Sequence, residues 1–291
     1  MAVFVAGAAT TRFGRLSESY FELARSAART ALREARVAKP GHVFVSSQSP
    51  EELAGIANVA AAVCTELGLT GVPATRVETA PSSGGSAVEA AFFAIASGLV
   101  ETALVVGVEK MTGVPTKGAS ASLAKMIHPS ERRYGLTMPA LAALSTRYVM
   151  ETKGITREEL SLAPIKAHAH ASGNANAHFR NPVSASDVAK SPLVSDPLRV
   201  LDCAPISDGA AALVLSRARG MARILGIGHA TDDLSLCGRQ RTDALLSFAA
   251  TRLASRRCAA MARRRPRDAD VVEMHDAFSI LEFTNPFDLG I

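Results

Sequence analysis

Short apolar runs and amphipathic stripes alternate along the first third of the chain. Ala2 to Ala6 predicts an apolar strand, followed by a loop from Ala9 to Arg15. From Ser17, the spacing of Tyr20, Leu23, Ala27, Ala31 and Leu32 predicts an amphipathic helix ending near Arg36. His42 to Ser46 is the next strand. Leu53, Ile56, Ala60, Val63, Cys64 and Leu67 then share one helix face, with Gly68 as its C-cap. Val77 to Thr79 is β-prone, Pro81 to Gly85 forms a small-residue elbow, and Ala87, Val88, Ala91, Phe92 and Ile95 return to helical spacing. Thr102 to Val108 is continuously apolar, as in strands buried on both faces. This alternation predicts an α/β fold built on a helix-covered sheet.

From Gly113 to about Ser195 the periodicity weakens and Gly, Pro, Ser, Asn and His become frequent, which predicts a second unit inserted into the first. Asp208-Gly209, followed by an apolar run to Ser216, predicts a tight turn into a buried strand of the first sheet. Arg223 to Ala230 and Asp270 to Met274 predict two more strands. Between them a helix from Asp243 to about Arg263 turns Leu245, Leu246, Ala249 and Leu253 inward. The resulting division is residues 1–112 with 196–220, an inserted segment 113–195, and a third part 221–291.

At 291 residues and 48% apolar, the chain can bury a full core. The start MAVFVAGAA is too short and lacks the basic residues of a signal peptide, and no run reaches transmembrane length, so a cytoplasmic setting without membrane contact is expected. Cys64, Cys203, Cys237 and Cys258 are widely spaced without a metal-site pattern and read as reduced thiols. His168, His170 and His178 read as a metal site or as polar loop packing; without paired carboxylate or cysteine ligands at the usual spacing, packing is the expectation and no metal is assigned. The net charge is +5, with Arg256, Arg257, Arg263, Arg264, Arg265 and Arg267 clustered. That cluster is a solvated helix face or a phosphate contact; without interleaved aromatics nucleic acid is not expected.

The elbow is the natural place for a nucleophile, because a helix N-terminus favours a thiolate or another anion. Ser82 and Ser83 supply hydroxyls there, either for catalysis or for packing at the turn; no adjacent base can be read for them. The elbow sequence Val-Glu-Thr-Ala-Pro-Ser-Ser-Gly-Gly (77–85), the Gly107 to Thr112 segment and His275-Asp276-Ala277-Phe278 together resemble the thiolase family, in its acetyl-CoA acetyltransferase and sterol-carrier-type branch. The resemblance covers essentially the whole chain. It implies a layered α/β/α fold with an inserted loop domain and an incomplete C-terminal half.

The resemblance also implies site residues. Thiolases carry their acyl-accepting cysteine where this chain has Pro81. Tyr134 to Met138, His168 and the Leu201 to Gly209 turn would face the pantetheine arm of coenzyme A, with Ala204 where many relatives have a serine. His275 would contribute to an oxyanion hole, or would only cap the helix after it. The family's G-H-P-x-G and C-x-G motifs do not occur in the 291 residues, so relative to the family the chain reads as truncated. Coenzyme A is then a ligand or substrate rather than a resident cofactor. Three readings follow: an acyl-CoA-binding relative without thiolase turnover, a retro-aldolase working with a small CoA-binding partner, or a non-catalytic subunit completed by another chain. A homodimer or higher oligomer is expected, as in the family.

Overall fold

The computed structural model describes residues 2–236, 238–239 and 245–291. In chain order the elements are β1 (Val3–Thr10), α1 (Tyr20–Ala35), β2 (His42–Ser46), α2 (Pro50–Ala54), α3 (Val59–Leu67), β3 (Ala74–Val77), α4 (Ser83–Ala96), β4 (Thr102–Lys110) and α5 (Thr116–Ala124). They continue with α6 (Pro129–Arg132), α7 (Met138–Lys153), α8 (Arg157–Ser172), α9 (Ala185–Lys190), β5 (Leu193–Ser195), β6 (Leu198–Arg199), β7 (Asp208–Ser216), β8 (Ala222–Ile224), α10 (Ala249–Ala262) and α11 (Leu281–Leu289). Two compact units result, Met1–Ala119 with Ile206–Leu225 and Ser120–Pro205 with Gly226–Ile291.

The first unit is a six-stranded sheet in the order β3-β2-β4-β7-β1-β8. β3, β2 and β4 run parallel, whereas β7 is antiparallel to both β4 and β1. Period-two alternation sends Leu104, Val106 and Val108 of β4 into one core with Val43 and Val45, the inner stripe of α1 and Val59 and Val63 of α3. α4 packs on β4 and β2 with Ala87, Ala91, Phe92 and Ile95 buried. Helix α1 begins as its sequence dictates, since Ser19 and Glu22 form a reciprocal capping box. It lies so close to β1 that a Cβ on Gly7 would meet the Ala31 carbonyl oxygen at 2.3 Å.

Four element readings change, the first being that the helix expected from Asp243 is α10, which begins at Ala249 and leaves Leu253 43% exposed. The stripe from Leu53 to Leu67 is two helices, because Gly55 takes a left-handed conformation (φ 69°) that ends α2; Gly68 caps α3 as expected. The strand expected over Arg223 to Ala230 shortens to β8, which pairs with β1 in the first sheet. Beyond it the chain leaves the ladder, and a Cβ on Gly228 would meet the Ala254 carbonyl oxygen of α10 at 1.9 Å, so helix packing replaces strand pairing there. Asp270 to Met274 forms no strand, and Val271 is 77% exposed; with no strand beside it among the described residues, its alternation has nothing to pair with. Asp243 and Cys237 lie outside those residues. None of the described helices is long and apolar enough to cross a membrane.

Asp208, fully buried, ties the sheet together. Its carboxylate accepts from Lys110 Nζ at 2.7 Å, from the Thr112 amide at 2.7 Å and hydroxyl at 2.6 Å, and from the Leu16 amide at 3.0 Å. Burial alone would raise its pKa, but these donors outweigh burial and hold it below the ordinary value. Because the folded pKa lies below the unfolded value of about 3.9, this contribution to stability is complete above that value and is lost as pH falls through the folded pKa. We expect Asp208→Ala to cost about 3–5 kcal/mol by leaving the Lys110 ammonium without its counter-ion. Denaturant melts at neutral pH measure the loss, and the gap between variant and parent should shrink in acid.

Candidate functional site

The elbow joins β3 to α4 through a strained turn. Ala80 holds φ 53°, a left-handed value that costs a non-glycine residue about 1–2 kcal/mol. The proline after it adds crowding at the same residue. Thr79 and Pro81 form an isolated parallel bridge, and the Ala80 amide donates to Glu78 Oε1 at 2.5 Å. Pro81 is exposed and precedes the N-cap Ser82, so it lies just outside the helix rather than at its first position.

Both serines are committed to the turn. Ser83 is 4% exposed; its hydroxyl donates to the Ala80 carbonyl at 2.6 Å and accepts from the Thr79 amide at 2.8 Å. The Ser82 hydroxyl lies 2.7 Å from the Thr79 carbonyl and 3.0 Å from the Thr79 hydroxyl. Both hydroxyls are thus hydrogen-bonded within the turn, Ser83 buried and Ser82 exposed. The Gly107 to Thr112 segment is likewise structural on its side: Glu109 accepts from Ser47 Oγ at 3.1 Å and the Gln48 amide at 2.7 Å, while burial raises its carboxyl pKa.

In the second unit, His275 to Ser279 docks on the segment after β6. Cys203 bridges Phe278, and the Ala204 amide donates to the Ala277 carbonyl at 2.9 Å. Asp202, 2% exposed, anchors this frame. Arg157 grips both of its carboxylate oxygens at 2.8 Å, Ser279 Oγ donates to Oδ1 at 3.0 Å, and the Arg199 amide donates to Oδ2 at 2.8 Å. Asn285 Nδ2 donates to the His275 carbonyl at 2.9 Å. The imidazole itself is exposed and borders an apolar cavity that Met138 also lines. His275 is not a helix cap, since the N-cap of α11 is Ile280.

The structure thus gathers Met138, His275 and the Ala204 backbone, and leaves two expected residues elsewhere. Tyr134 is 78% exposed beneath the Arg133 guanidinium, 4.8 Å from the ring centroid, and borders a different groove. His168 stacks on Phe179, which stacks in turn on His178, and its Nδ1 lies 2.9 Å from the Asn181 carbonyl. Of the arginine cluster, Arg257 donates to the His229 carbonyl and Arg265 pairs with Asp268, while all six side chains lie at the surface.

Residues 3–219 match the thiolase N-terminal domain model. The acetyl-CoA acetyltransferase of Methanothermobacter thermautotrophicus is 36% identical, the match covering 99% of this chain and 77% of that one. The chain belongs to the thiolase family. Sterol carrier protein 2 of Bos taurus is 30% identical over 99% of this chain and 56% of its own. Among solved structures, one titled Ltp2-ChsH2(DUF35) aldolase superposes with a TM-score of 0.79 at 22% identity, covering 99% of this chain and 77% of that one, a likeness of fold.

In this thiolase-family chain, sequence reasoning missed Arg157 and Ser279, and it gave Asp202 and Asp276 no role beyond membership of the Leu201 to Gly209 turn and the His275 motif. Arg157, Asp202 and Ser279 make a buried network whose members stand far apart in sequence, so only Asp202, inside the expected turn, carried a signal. Asp276 follows His275; burial, then the like charge of Glu282, raises its carboxyl pKa. Burial, then the Asp202 carboxylate, pushes the Cys203 thiol up to about 11, which disfavours its thiolate. We expect Pro81→Cys to be alkylated by iodoacetamide at neutral pH well before Cys203, as read by peptide mass spectrometry. Equal or slower labelling would show that the elbow does not activate a thiol.

Proposed function

We propose that this chain binds acyl-CoA thioesters in a thiolase fold without performing thiolysis through its elbow. The observation that carries the reading is Pro81, exposed at an intact and strained turn whose neighbouring serines are hydrogen-bonded into the backbone. The relatives named as acetyl-CoA acetyltransferases support the thioester class. Acyl transfer to a cysteine at this turn is unavailable, and losing a nucleophile alone removes several powers of ten in rate. The pantetheine arm is assigned to the surroundings of Met138 and Ala204, with His275 as the donor to the thioester carbonyl.

A second reading is a retro-aldolase on CoA-thioester side chains, working with a small CoA-binding partner; the fold likeness to a structure titled Ltp2-ChsH2(DUF35) aldolase favours it. Such chemistry needs a base for a substrate hydroxyl, and the open imidazole of His275 at the cavity is the group best disposed for that role. A partner-completed, non-catalytic subunit is the third reading. A homodimer or higher oligomer, a role in lipid metabolism and a reducing, cytoplasmic setting belong to the same proposal. The free thiols of Cys64, Cys203 and Cys258 support that setting.

We expect purified chain to show no thiolysis of acetoacetyl-CoA above background while binding CoA or acetyl-CoA in calorimetry. Acyl-enzyme detected by mass spectrometry would overturn the first half of the proposal, and no heat from either ligand the second.

A further inference from the structure

We propose that the groove between α1 and the C-terminal end of α3 is a docking site for an acidic amphipathic helix of a partner protein. The groove lies wholly within the first unit and holds about 930 Å³. At about 30 Å³ per water it admits on the order of thirty waters, far more than a single phosphate or carboxylate displaces, so its size suits the side chains along a helix face. Its most prominent feature is a row of arginines. Arg25, Arg29 and Arg33 stand at four-residue intervals on α1, and the C-cap Arg36 continues them. Val37 and Leu67, both partly exposed, give the groove an apolar flank.

The fold itself does not account for this row. Arg25 donates to Glu66 Oε2 at 3.1 Å, and Arg33 Nη2 donates to Thr30 Oγ1 at 3.2 Å. The side chains of Arg29 and Arg36 make no hydrogen bond or ion pair among the described residues. Like charges four residues apart destabilise a helix, so the row is a cost that a facing row of anions would reverse. The helix dipole favours Arg33 in the last turn, but it leaves Arg25 and Arg29, further back, without a reason. At the other end of the groove Glu22 is held by the Ser19 amide at 2.8 Å, so the stretch open to acid runs from Arg25 to Arg36.

Spacing and lining select the occupant. Four residues at about 1.5 Å each put successive arginines about 6 Å apart along the axis. An acidic helix with glutamates at i and i+4 repeats at that same interval, and guanidinium forks receive carboxylates through paired hydrogen bonds. Apolar side chains beside those glutamates would lie against Val37 and Leu67. Nucleic acid fits less well, because no aromatic side chain lines the groove to stack a base.

The test is fluorescence anisotropy of the full chain with a labelled synthetic helix of roughly 18 residues, long enough to be helical alone, with glutamates on one face and leucines beside them. It should bind at low salt and loosen as salt rises. Arg29→Glu with Arg33→Glu should weaken binding at least about tenfold, whereas Arg256→Glu with Arg264→Glu, in the second unit, should leave it within about twofold. A companion helix with alanine in place of leucine should bind at least about fivefold weaker, since each buried methylene adds affinity. Hydrogen exchange on the parent chain, with and without the peptide, should show protection in α1 and α3, which locates the contact even where a variant does not fold. No binding, equal loss from both arginine pairs, or protection outside α1 and α3 overturns the groove assignment. Equal affinity for the alanine companion overturns the amphipathic character of the occupant. Inorganic polyphosphate or a single-stranded oligonucleotide binding as tightly as the peptide, and lost with the same α1 variants, overturns the acidic helix in favour of a phosphate polymer.

Discussion

The first unit depends on one buried carboxylate. Asp208 opens β7, the strand that sits between β4 and β1 in the middle of the sheet, yet it is the last of these three to appear in the chain. The sheet therefore cannot close until the chain has travelled through residues 120–205 and returned. When it does, Asp208 gathers the Leu16 loop, the end of β4 and Thr112 around a single ion pair, and Lys110 Nζ donates onward to the Leu16 carbonyl at 2.6 Å. A charge that deep is tolerable only because every nearby donor is aimed at it.

Asp202 plays the corresponding part in the second unit. There the buried carboxylate is clamped by Arg157 and shared with Ser279, so the His275 loop is fastened to the turn that carries Cys203 and Ala204. Both units thus use a desolvated acid, satisfied on all sides, to hold the backbone of a family motif. The Ala80 turn is of a different kind. It retains backbone strain at the elbow, where the resemblance in sequence implies the family's nucleophile, and here the strain lies beside a proline.

Local chemistry was legible wherever the information was local. The α1 stripe, the bounds of β2 and the Gly68 cap all follow from neighbours within a few residues. The elbow was legible too, although its helix begins two residues beyond Pro81, with the Ser82 hydroxyl turned back to Thr79. The two segments misread as strands share one feature. Arg223 to Ala230 and Asp270 to Met274 are short and carry strand-forming apolar residues, but a strand exists only where another backbone completes its ladder, and local pattern carries no record of the partner.

By itself, the sequence determined the alternation of strands and helices, the thiolase-type motifs and the absence of a nucleophile at Pro81, because each is a property of residues adjacent along the chain. Tertiary structure alone decided that Met138 would join His275 at one cavity while Tyr134 and His168 would not. It also decided that the hydroxyls of Ser82 and Ser83 would be spent on backbone, and that Arg157, Asp202 and Ser279 would meet. The reason is that buried polar groups must find partners wherever the fold brings them, and Ser279 stands 77 positions from Asp202 along the chain.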